Sequence, residues 1–503
     1  MPEAIPLSLT QITTEDWEKT PVSVKACVLG LTQRIEQLEE QMAQLQEQVN
    51  RNPGNSSQAP SQAGAKGFKA KAKEKSGKKR GGQAGHKGHQ QLLYALEDCQ
   101  SIEEHYPETC CECGGVLVGE DAEPQRVQIM ELPALRPVVV EHRFHALTCA
   151  GCGTVTCAFD GEIVNGSRYG ARLAAFVGLL SGEYRQSHRM VERLLNEVFG
   201  MKLCIGSIGK LRAEISESVA SAVQAAQVYV QQQPTVGSDE TGFRQGNVDG
   251  ANPSQKRGWL WVLVTPYVCY FQVWLSRSQV AAQTMLGATF TGHVVTDRYS
   301  AYSWLDIQKR QVCWAHLKRD FTKISERVGI SAILGKTLLE QQKKLFEVWH
   351  QARDGMITRT ELNQQVISIR TKVQEILTQG AAYPIAPKDK SPLAKTVRTC
   401  QQLLKVEPAL WLFVSVEGVE PTNNASERAL RPAVLWRRSS LGAQTQDGSR
   451  FVSRLLTVVT TLRLQQRNVL DYLTQACQAQ RQGQPAPSLL PIVIIPNLEL
   501  PSA

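Results

Sequence analysis

The chain has 503 residues, which is too long for one hydrophobic core and predicts three or more folded units. Lysine and arginine number 56 against 47 aspartates and glutamates, a formal net charge of +9, which favours a polyanionic partner. No apolar run approaches the roughly 18 residues of a membrane span, and an acidic Glu3 stands where a signal peptide is basic. We therefore expect a cytoplasmic protein.

An apolar seam is the first pattern along the chain, in residues 22–50. Its members recur at alternating spacings of four and three, and they are Val24, Val28, Leu31, Ile35, Leu38, Met42, Leu45 and Val49. This heptad spacing predicts a short coiled coil through which copies of the chain associate. The alternative is an amphipathic helix packed on its own chain.

A basic segment, poor in apolar residues, follows in residues 51–90. Residues 66–80 carry seven lysines and one arginine against a single glutamate, so no hydrophobic core can form there. We expect a flexible linker that also lies along DNA phosphates. Its candidate DNA-binding side chains are Lys69, Lys71, Lys73, Lys78, Lys79 and Arg80. A solvated linker without DNA contacts is the alternative.

Two cysteine knuckles characterise the next unit. Their CxxC pairs are Cys110 with Cys113 and Cys149 with Cys152, and each pair is followed by a glycine that permits a tight turn. Two such pairs predict a tetrahedral zinc site. A closed site of four thiolates leaves no open position for chemistry, so this zinc would stabilise the fold. Buried free thiols are the alternative.

The zinc site defines a predicted ribbon-like domain over residues 91–160. Residues 127–132 and 138–147 are predicted strands of a hairpin between the two knuckles. Four other side chains in this unit are weaker candidate ligands: Cys111, Cys157, His142 and His145.

Residues 161–228 are predicted to be helical and contain a candidate helix-turn-helix. A helical stretch over 187–199 is followed by Gly200 and a second start at Ser207. An ordinary helical pair with a solvated basic face fits the pattern equally well. The side chains that would face DNA are Arg185, His188, Arg189, Lys202, Lys210 and Arg212.

The apolar period changes after residue 231 and predicts three strands, a helix and two more strands. The strands are expected over 235–238, 259–264, 268–275, 293–296 and 311–314, and the helix over 278–286. Asp239 follows the first strand and Asp297 the fourth. This is the order of a ribonuclease H-like sheet, so we expect the first part of a catalytic core over residues 229–316.

A helical insertion is predicted over residues 317–420, and the core resumes over 421–475. Glu427 lies there, in the segment PTNNASERALRP, and four arginines follow it: Arg428, Arg431, Arg437 and Arg438. Two aspartates and a glutamate are the hard oxygen ligands needed for two magnesium or manganese ions in phosphodiester cleavage. The alternative for Glu427 is a capping box that begins at Asn424.

Six segments carry a family resemblance: GSDETGFR, WLWV, VVTDRYSAY, QVCWAHLKRDF, EGVEPTNNASERALRPAVLWRRSS and GSRFVSRLLTVVTT. They resemble the catalytic region of transposases of the insertion-sequence-66 family, over roughly residues 236–473. The upstream GGQAGHKGH stretch and the paired knuckles also resemble the amino-terminal half of that family.

The resemblance implies a DDE-type, ribonuclease H-like catalytic domain interrupted by a helical insertion. It assigns the catalytic triad to Asp239, Asp297 and Glu427, which would also bind the catalytic magnesium or manganese. It further suggests accessory roles for Cys313 and His316, since their Cys-x-x-His spacing resembles a motif of several transposase groups; a buried thiol is the alternative for Cys313. Arg428 and Arg431 are further accessory candidates, and Arg437 and Arg438 are candidate DNA contacts.

Together these patterns predict a multidomain α+β protein. A coiled coil, a zinc ribbon-like domain and a helical DNA-binding region would precede the ribonuclease H-like core, and residues 476–503 would form a tail. The expected function is transposition: binding of the mobile element's ends, metal-dependent strand cleavage and strand transfer into target DNA. Helper proteins of the same element are further candidate partners. The alternatives are a nuclease without strand transfer and a catalytically idle DNA-binding regulator.

Overall fold

The computed structural model describes residues 13–52, 54–55 and 93–491. Most of the predicted basic linker lies outside this part of the chain. So do all six of its candidate DNA contacts, which are Lys69, Lys71, Lys73, Lys78, Lys79 and Arg80.

The amino-terminal region consists of two helices, α1 (Thr14–Lys19) and α2 (Val22–Val49). The predicted heptad segment is thus one continuous helix of 28 residues. Seven of its eight seam residues are exposed, all except Val28. The seam is therefore not covered by the described part of its own chain, and pairing with a second copy stays a prediction.

Residues 93–160 contain little regular structure. A short antiparallel pair, β1 (Ala146–Thr148) and β2 (Val155–Cys157), flanks the second knuckle. The hairpin predicted over 127–132 and 138–147 is wrong, because apart from the last two residues of the second segment neither pairs with a strand. Its apolar side chains stay exposed. Strand preference depends on cross-strand and same-face packing, and these residues have none.

Five helices follow: α3 (Gly161–Asn165), α4 (Ala171–Gly182), α5 (His188–Phe199), α6 (Ile205–Ser218) and α7 (Ala220–Gln231). Helix α5 begins at an N-cap, Ser187, whose side chain accepts the amide of Met190, and it ends at Gly200 in the left-handed conformation. The second helix of the predicted pair starts two residues before the expected Ser207.

A five-stranded mixed sheet forms the centre of the molecule. Its strands are β3 (Thr235–Gly242), β4 (Trp259–Val264), β5 (Cys269–Trp274), β6 (His293–Thr296) and β7 (Arg310–Val312), and α8 (Gln279–Leu286) joins β5 to β6. The spatial order is β5-β4-β3-β6-β7. Pairing is antiparallel among β3, β4 and β5, and parallel among β3, β6 and β7. The predicted order of three strands, a helix and two strands is confirmed.

The helices after the sheet fall into an inserted group and a carboxy-terminal group. The first comprises α9 (Trp314–Ser325), α10 (Ile330–Arg353), α11 (Arg359–Ala381), α12 (Pro392–Lys405) and α13 (Leu412–Ser415). The second comprises α14 (Asn424–Ser440), α15 (Gln446–Leu464) and α16 (Val469–Arg481). Because α16 continues to Arg481 with Ala476 and Cys477 buried, the predicted tail begins too early.

Two hydrophobic cores organise these elements. The larger one joins α4 to α7, strands β3 to β5, α8 and the carboxy-terminal helices. The region predicted as a separate helical unit over 161–228 thus shares its core with the sheet. The smaller core joins the inserted helices and reaches the sheet through Val295 of β6 and Val312 of β7. None of the helices within 13–52 and 93–491 is long and apolar enough to cross a membrane.

Candidate active site

Asp239 and Asp297 occupy matching positions on two neighbouring parallel strands. Gly237 of β3 pairs with Val295 of β6, and each aspartate comes two residues later. Neighbouring strands lie about 4.8 Å apart, and residues two apart face the same side. The sheet register therefore sets the two carboxylates side by side at the end of β6, as strand-end aspartates in the sequence predict.

Glu427 reaches this edge because α14 approaches β3 at a glycine. A Cβ atom on Gly237 would lie 2.5 Å from Ser426 Oγ and 3.1 Å from Asn423 Oδ1. No larger residue fits without displacing the start of α14. Glu427 lies in the first turn of that helix, so the close approach brings its carboxylate toward the two aspartates.

The loop before α14 is fastened to the sheet through Asn423. Its side-chain amide donates to the Ser238 carbonyl oxygen over 2.8 Å, and its backbone N–H donates to Cys313 Sγ over 3.1 Å. Two residues earlier, the Pro421 carbonyl accepts the Trp314 amide over 2.9 Å. These bonds join β3, the start of α9 and the start of α14. Cys313 is fully buried at this junction, so its thiol takes part in packing.

Burial and the charges of neighbouring carboxylates both disfavour the ionised form of Asp239. Burial raises the pKa of Asp239 well above its usual value, and the charges of Glu240, Asp297 and Glu427 raise it further. A backbone hydrogen bond from Glu240 opposes the shift only in part. Four acidic groups thus share one region in which a cation would relieve the repulsion.

Glu427 faces two basic side chains of α9. Arg319 Nη2 lies 3.4 Å from both of its carboxylate oxygens, and His316 Nε2 lies 3.7 Å from Oε1. The capping-box alternative does not form: the N-cap is Asn423, and among the described residues no side chain caps the helix. Burial lowers the pKa of His316, which favours its neutral form. Its Nδ1 is buried and has no hydrogen-bond partner within the described chain.

A buried network behind Asp239 was not predicted from the sequence. The Glu240 carboxylate accepts from Tyr302 Oη over 2.8 Å and from Arg277 Nε over 2.7 Å. The Arg277 guanidinium stacks 3.7 Å from the centre of the Tyr299 ring, and the Tyr299 amide donates to Asp297 Oδ1 over 2.8 Å. The sequence did offer a clue to this network, because GSDETGFR and VVTDRYSAY contain Glu240, Tyr299 and Tyr302 close to the two aspartates.

The arginines after Glu427 differ in their surroundings. Arg437 donates to Thr241 Oγ1 over 2.8 Å and to the Gly242 carbonyl over 2.6 Å, so it is engaged in holding α14 against β3. Arg428, Arg431 and Arg438 are exposed and can meet a phosphate backbone.

In the helical pair upstream, Arg212 contacts His188 and stacks 4.2 Å from the centre of the Phe451 ring. It packs inside the protein, so the prediction that it faces DNA is wrong.

The predicted metal ligands form two groups, the three carboxylates and the four cysteine thiols. Across residues 13–52 and 93–491, no three or more His, Cys, Asp or Glu side chains are gathered closely enough to hold a metal ion. The carboxylate oxygens of Asp239, Asp297 and Glu427 are nonetheless ligands that suit hard divalent cations. The charges of the neighbouring carboxylates raise the pKa of Asp239, and this repulsion supports a cation there.

The two cysteine knuckles are each formed, although the four thiols are not brought together. Cys110 N–H donates to the Gly115 carbonyl and Cys149 N–H to the Thr154 carbonyl, each over 2.8 Å. Gly114 and Gly153 both have φ of 72°, a conformation that glycine favours. Backbone hydrogen bonds lower the pKa of Cys110, and the Thr154 hydroxyl lowers that of Cys152. Both knuckles therefore have the local geometry of a zinc half-site.

Comparisons with known proteins agree with these observations. A family model described as "Transposase IS66 family" matches residues 166–450, which is more than half of the chain. A second one, a family of unknown function (DUF6444), matches residues 10–92. A stretch of 214 residues is 27% identical to the uncharacterized protein y4qI of Sinorhizobium fredii (strain NBRC 101917 / NGR234), covering 40% of this chain and 38% of that relative. The match thus spans well under half of the relative's length.

Proposed function

The chain belongs to the IS66 transposase family, and on that premise we propose that it binds the ends of a mobile DNA element and catalyses DNA strand cleavage and strand transfer. The observation that supports this proposal is the pairing of Gly237 with Val295, which sets Asp239 beside Asp297, together with the packing of the helix that carries Glu427 against β3 at Gly237. The strand order β5-β4-β3-β6-β7, with helices inserted between β7 and α14, supports a ribonuclease H-like catalytic core.

The three carboxylates would hold two magnesium or manganese ions. When bound, such ions supply Lewis-acid activation of water and stabilisation of the leaving 3′ oxygen. The Glu240 amide donates to Asp239 and the Tyr299 amide to Asp297, so the protein would orient both carboxylates before DNA arrives. Glu427 sits on a helix and is paired with Arg319, from which it would be released on cation binding.

The surroundings of the carboxylates suit a DNA backbone. Arg428, Arg431 and Arg438 are exposed on α14 and would contact phosphates, which position the strand without reading its sequence. His316, neutral and with an unpartnered Nδ1, is available to a phosphate oxygen or to water. Cys313 acts through packing, because its buried sulfur anchors the loop that carries Glu427.

The amino-terminal modules would serve the assembly of the DNA complex. Self-association through the α2 seam would pair two element ends, and the knuckles would hold a structural zinc ion through Cys110, Cys113, Cys149 and Cys152. The basic segment around residues 66–80 and the α5–α6 pair are the proposed contacts with double-stranded DNA, and action on DNA would place the protein in the cytoplasm.

The experiment is magnesium- or manganese-dependent cleavage and joining of DNA that carries the element's own ends. Purified protein is compared with Asp239→Asn, Asp297→Asn and Glu427→Gln, and Asp306→Asn, in an exposed turn, is the matched control. We expect parent and control to cut and join, and the three site variants to bind DNA while losing both activities by at least about a hundredfold.

Two results would change the proposal. If the site variants cut as well as the parent, these carboxylates do not catalyse. If the parent cuts without joining under every condition, the protein is a nuclease instead of a transposase.

A further inference from the structure

Helix α9 carries a line of basic side chains that leads away from the candidate active site. His316 and Arg319 face Glu427, and Lys323 follows one turn later on the same face. Arg327 continues the line just after the helix ends. From His316 to Lys323 the helix rises about 10 Å, which matches the axial rise of roughly three base pairs of B-DNA.

The line ends in a basic pocket between α9 and α12. Its charged lining residues are Lys323, Arg327, Lys395, Arg398 and Asp320, four cations against one carboxylate. That carboxylate is already paired with Arg298, the residue next to Asp297. Among the described residues, the Arg398 guanidinium forms no ion pair and donates to the carbonyl oxygens of Ala386, Pro387 and Asp389. The excess of positive charge in this pocket suits an anion.

A carboxylate of the chain itself contacts three of these cations. The carboxylate of Glu47, near the end of α2, lies 2.6 Å from Lys395 Nζ, 3.0 Å from Arg327 Nη2 and 3.3 Å from Lys323 Nζ. Only 13% of the Glu47 side chain is exposed. Asn55, just beyond α2, adds a 2.6 Å hydrogen bond to Glu326. Glu47 occupies the heptad position opposite the apolar seam, so this contact leaves the seam open.

We propose that the basic pocket binds a phosphate of DNA extending along α9 from the active site, and that Glu47 covers it while no DNA is bound. The inference rests on the proposed function, since it assumes DNA as the substrate. The Glu47 carboxylate is bound by three cationic side chains, and lysine and arginine side chains bind phosphodiester oxygens in the same way. DNA and α2 would then compete for one site.

The test is binding of the full-length protein to a fluorescently labelled duplex of about 30 base pairs, measured by fluorescence anisotropy in EDTA across a range of salt concentrations. Glu47→Gln should bind about fivefold to tenfold more tightly than the parent at low salt, with a salt slope steeper by about one to two units. Glu18→Gln makes the same charge change at an exposed site in α1 and should behave as the parent does. Thermal unfolding checks that each variant is folded.

A second substitution separates competition from a general charge effect. In the Glu47→Gln background, Lys395→Gln should remove most of the gain, whereas Lys343→Gln, at an exposed position of α10, should remove little. Equal affinities for Glu47→Gln and Glu18→Gln would overturn the inference while leaving the proposed function intact, and so would weaker binding by Glu47→Gln. If the parent itself bound no DNA, the proposed function would fail first.

Discussion

Among the single residues of the site, Asp239 has the least favourable electrostatic surroundings for a charged side chain. A half-buried carboxylate is ordinarily stabilised by cations or hydrogen-bond donors, yet Asp239 is surrounded by Glu240, Asp297 and Glu427. Asp239 accepts the backbone amide of Glu240, but the nearby cations pair with other groups: Arg277 with Glu240, and Arg319 with Glu427. Holding Asp239 ionised therefore costs folding free energy, which is common for residues kept for function.

We predict that Asp239→Asn stabilises the metal-free protein at neutral pH. The amide keeps the shape of the side chain and removes one of four like charges, so the free energy of unfolding should rise by about 1 to 3 kcal/mol. Thermal unfolding in EDTA measures the change, with Asp121→Asn at an exposed loop as the control. A variant less stable than the parent would show that Asp239 is held by attractive contacts.

Strand alternation explains how much of this site the sequence predicts. Asp297 directly follows β6, as predicted. Asp239 was predicted to follow its strand, but β3 continues through it to Gly242. Glu240 is the next residue, so its side chain faces the other side of the sheet. It is buried there because Arg277 and Tyr302, distant in sequence, meet it. The apolar periodicity of a strand does not reveal which distant side chains will contact its buried residues, so this network was not predicted.

At the scale of elements, the contact between α14 and β3 sets the position of Glu427. The sheet leaves room for the helix only because residue 237 has no side chain. Sequence alone did predict that a helix begins near Asn424, but not that it packs on β3. That contact joins segments about 190 residues apart.

We predict that Gly237→Ala lowers DNA cutting at least about tenfold and destabilises the protein by about 1 to 3 kcal/mol, because the added methyl group displaces Ser426 and with it Glu427. Gly209→Ala is the matched control. It lies within α6, and a Cβ there meets nothing within 4 Å, so it should be neutral or slightly stabilising. Cutting and thermal unfolding are measured on both variants. Normal cutting by Gly237→Ala would mean that α14 need not approach β3 so closely.

A second prediction about structural elements concerns the cysteine knuckles. Purified protein should contain about one zinc ion per chain, and Cys113→Ser should lose it because a tetrahedral thiolate site needs all four ligands. Cys111→Ser alters the neighbouring thiol, which lies outside the CxxC pair, and should keep its zinc. Metal content is measured by elemental analysis after gel filtration. Zinc retained by Cys113→Ser or lost by Cys111→Ser would contradict the ligand assignment.

The whole molecule combines two cores with an amino-terminal helix that has two separate faces. One face of α2 reaches the inserted helices through Glu47, and the other exposes the heptad seam. The sequence predicted too many folded units: a separate helical unit was expected over residues 161–228, but helices α4 to α7 share the core of the sheet. Each of these helices is short, and they bury their apolar faces against one another, the carboxy-terminal helices and the sheet.

We predict that the seam holds copies of the chain together. Replacing Leu31 and Leu38 by lysine puts charges into that contact and should shift the protein to a monomer in sedimentation experiments. Gln33→Lys with Gln37→Lys adds the same charge on the polar side of α2 and should preserve the oligomer. An unchanged oligomer in the seam variant, or a monomeric parent, would contradict self-association through α2.

The carboxylates at the sheet edge are proposed to bind the metal ions that act on DNA, and a change of metal preference would show whether they do. In Asp297→Cys a soft thiolate replaces a hard carboxylate, and thiolates bind manganese better than magnesium. We predict that this variant loses magnesium-dependent cutting by about a hundredfold or more and recovers a substantial part with manganese. Cutting at the parent's rate in magnesium would mean that Asp297 does not bind a catalytic metal ion.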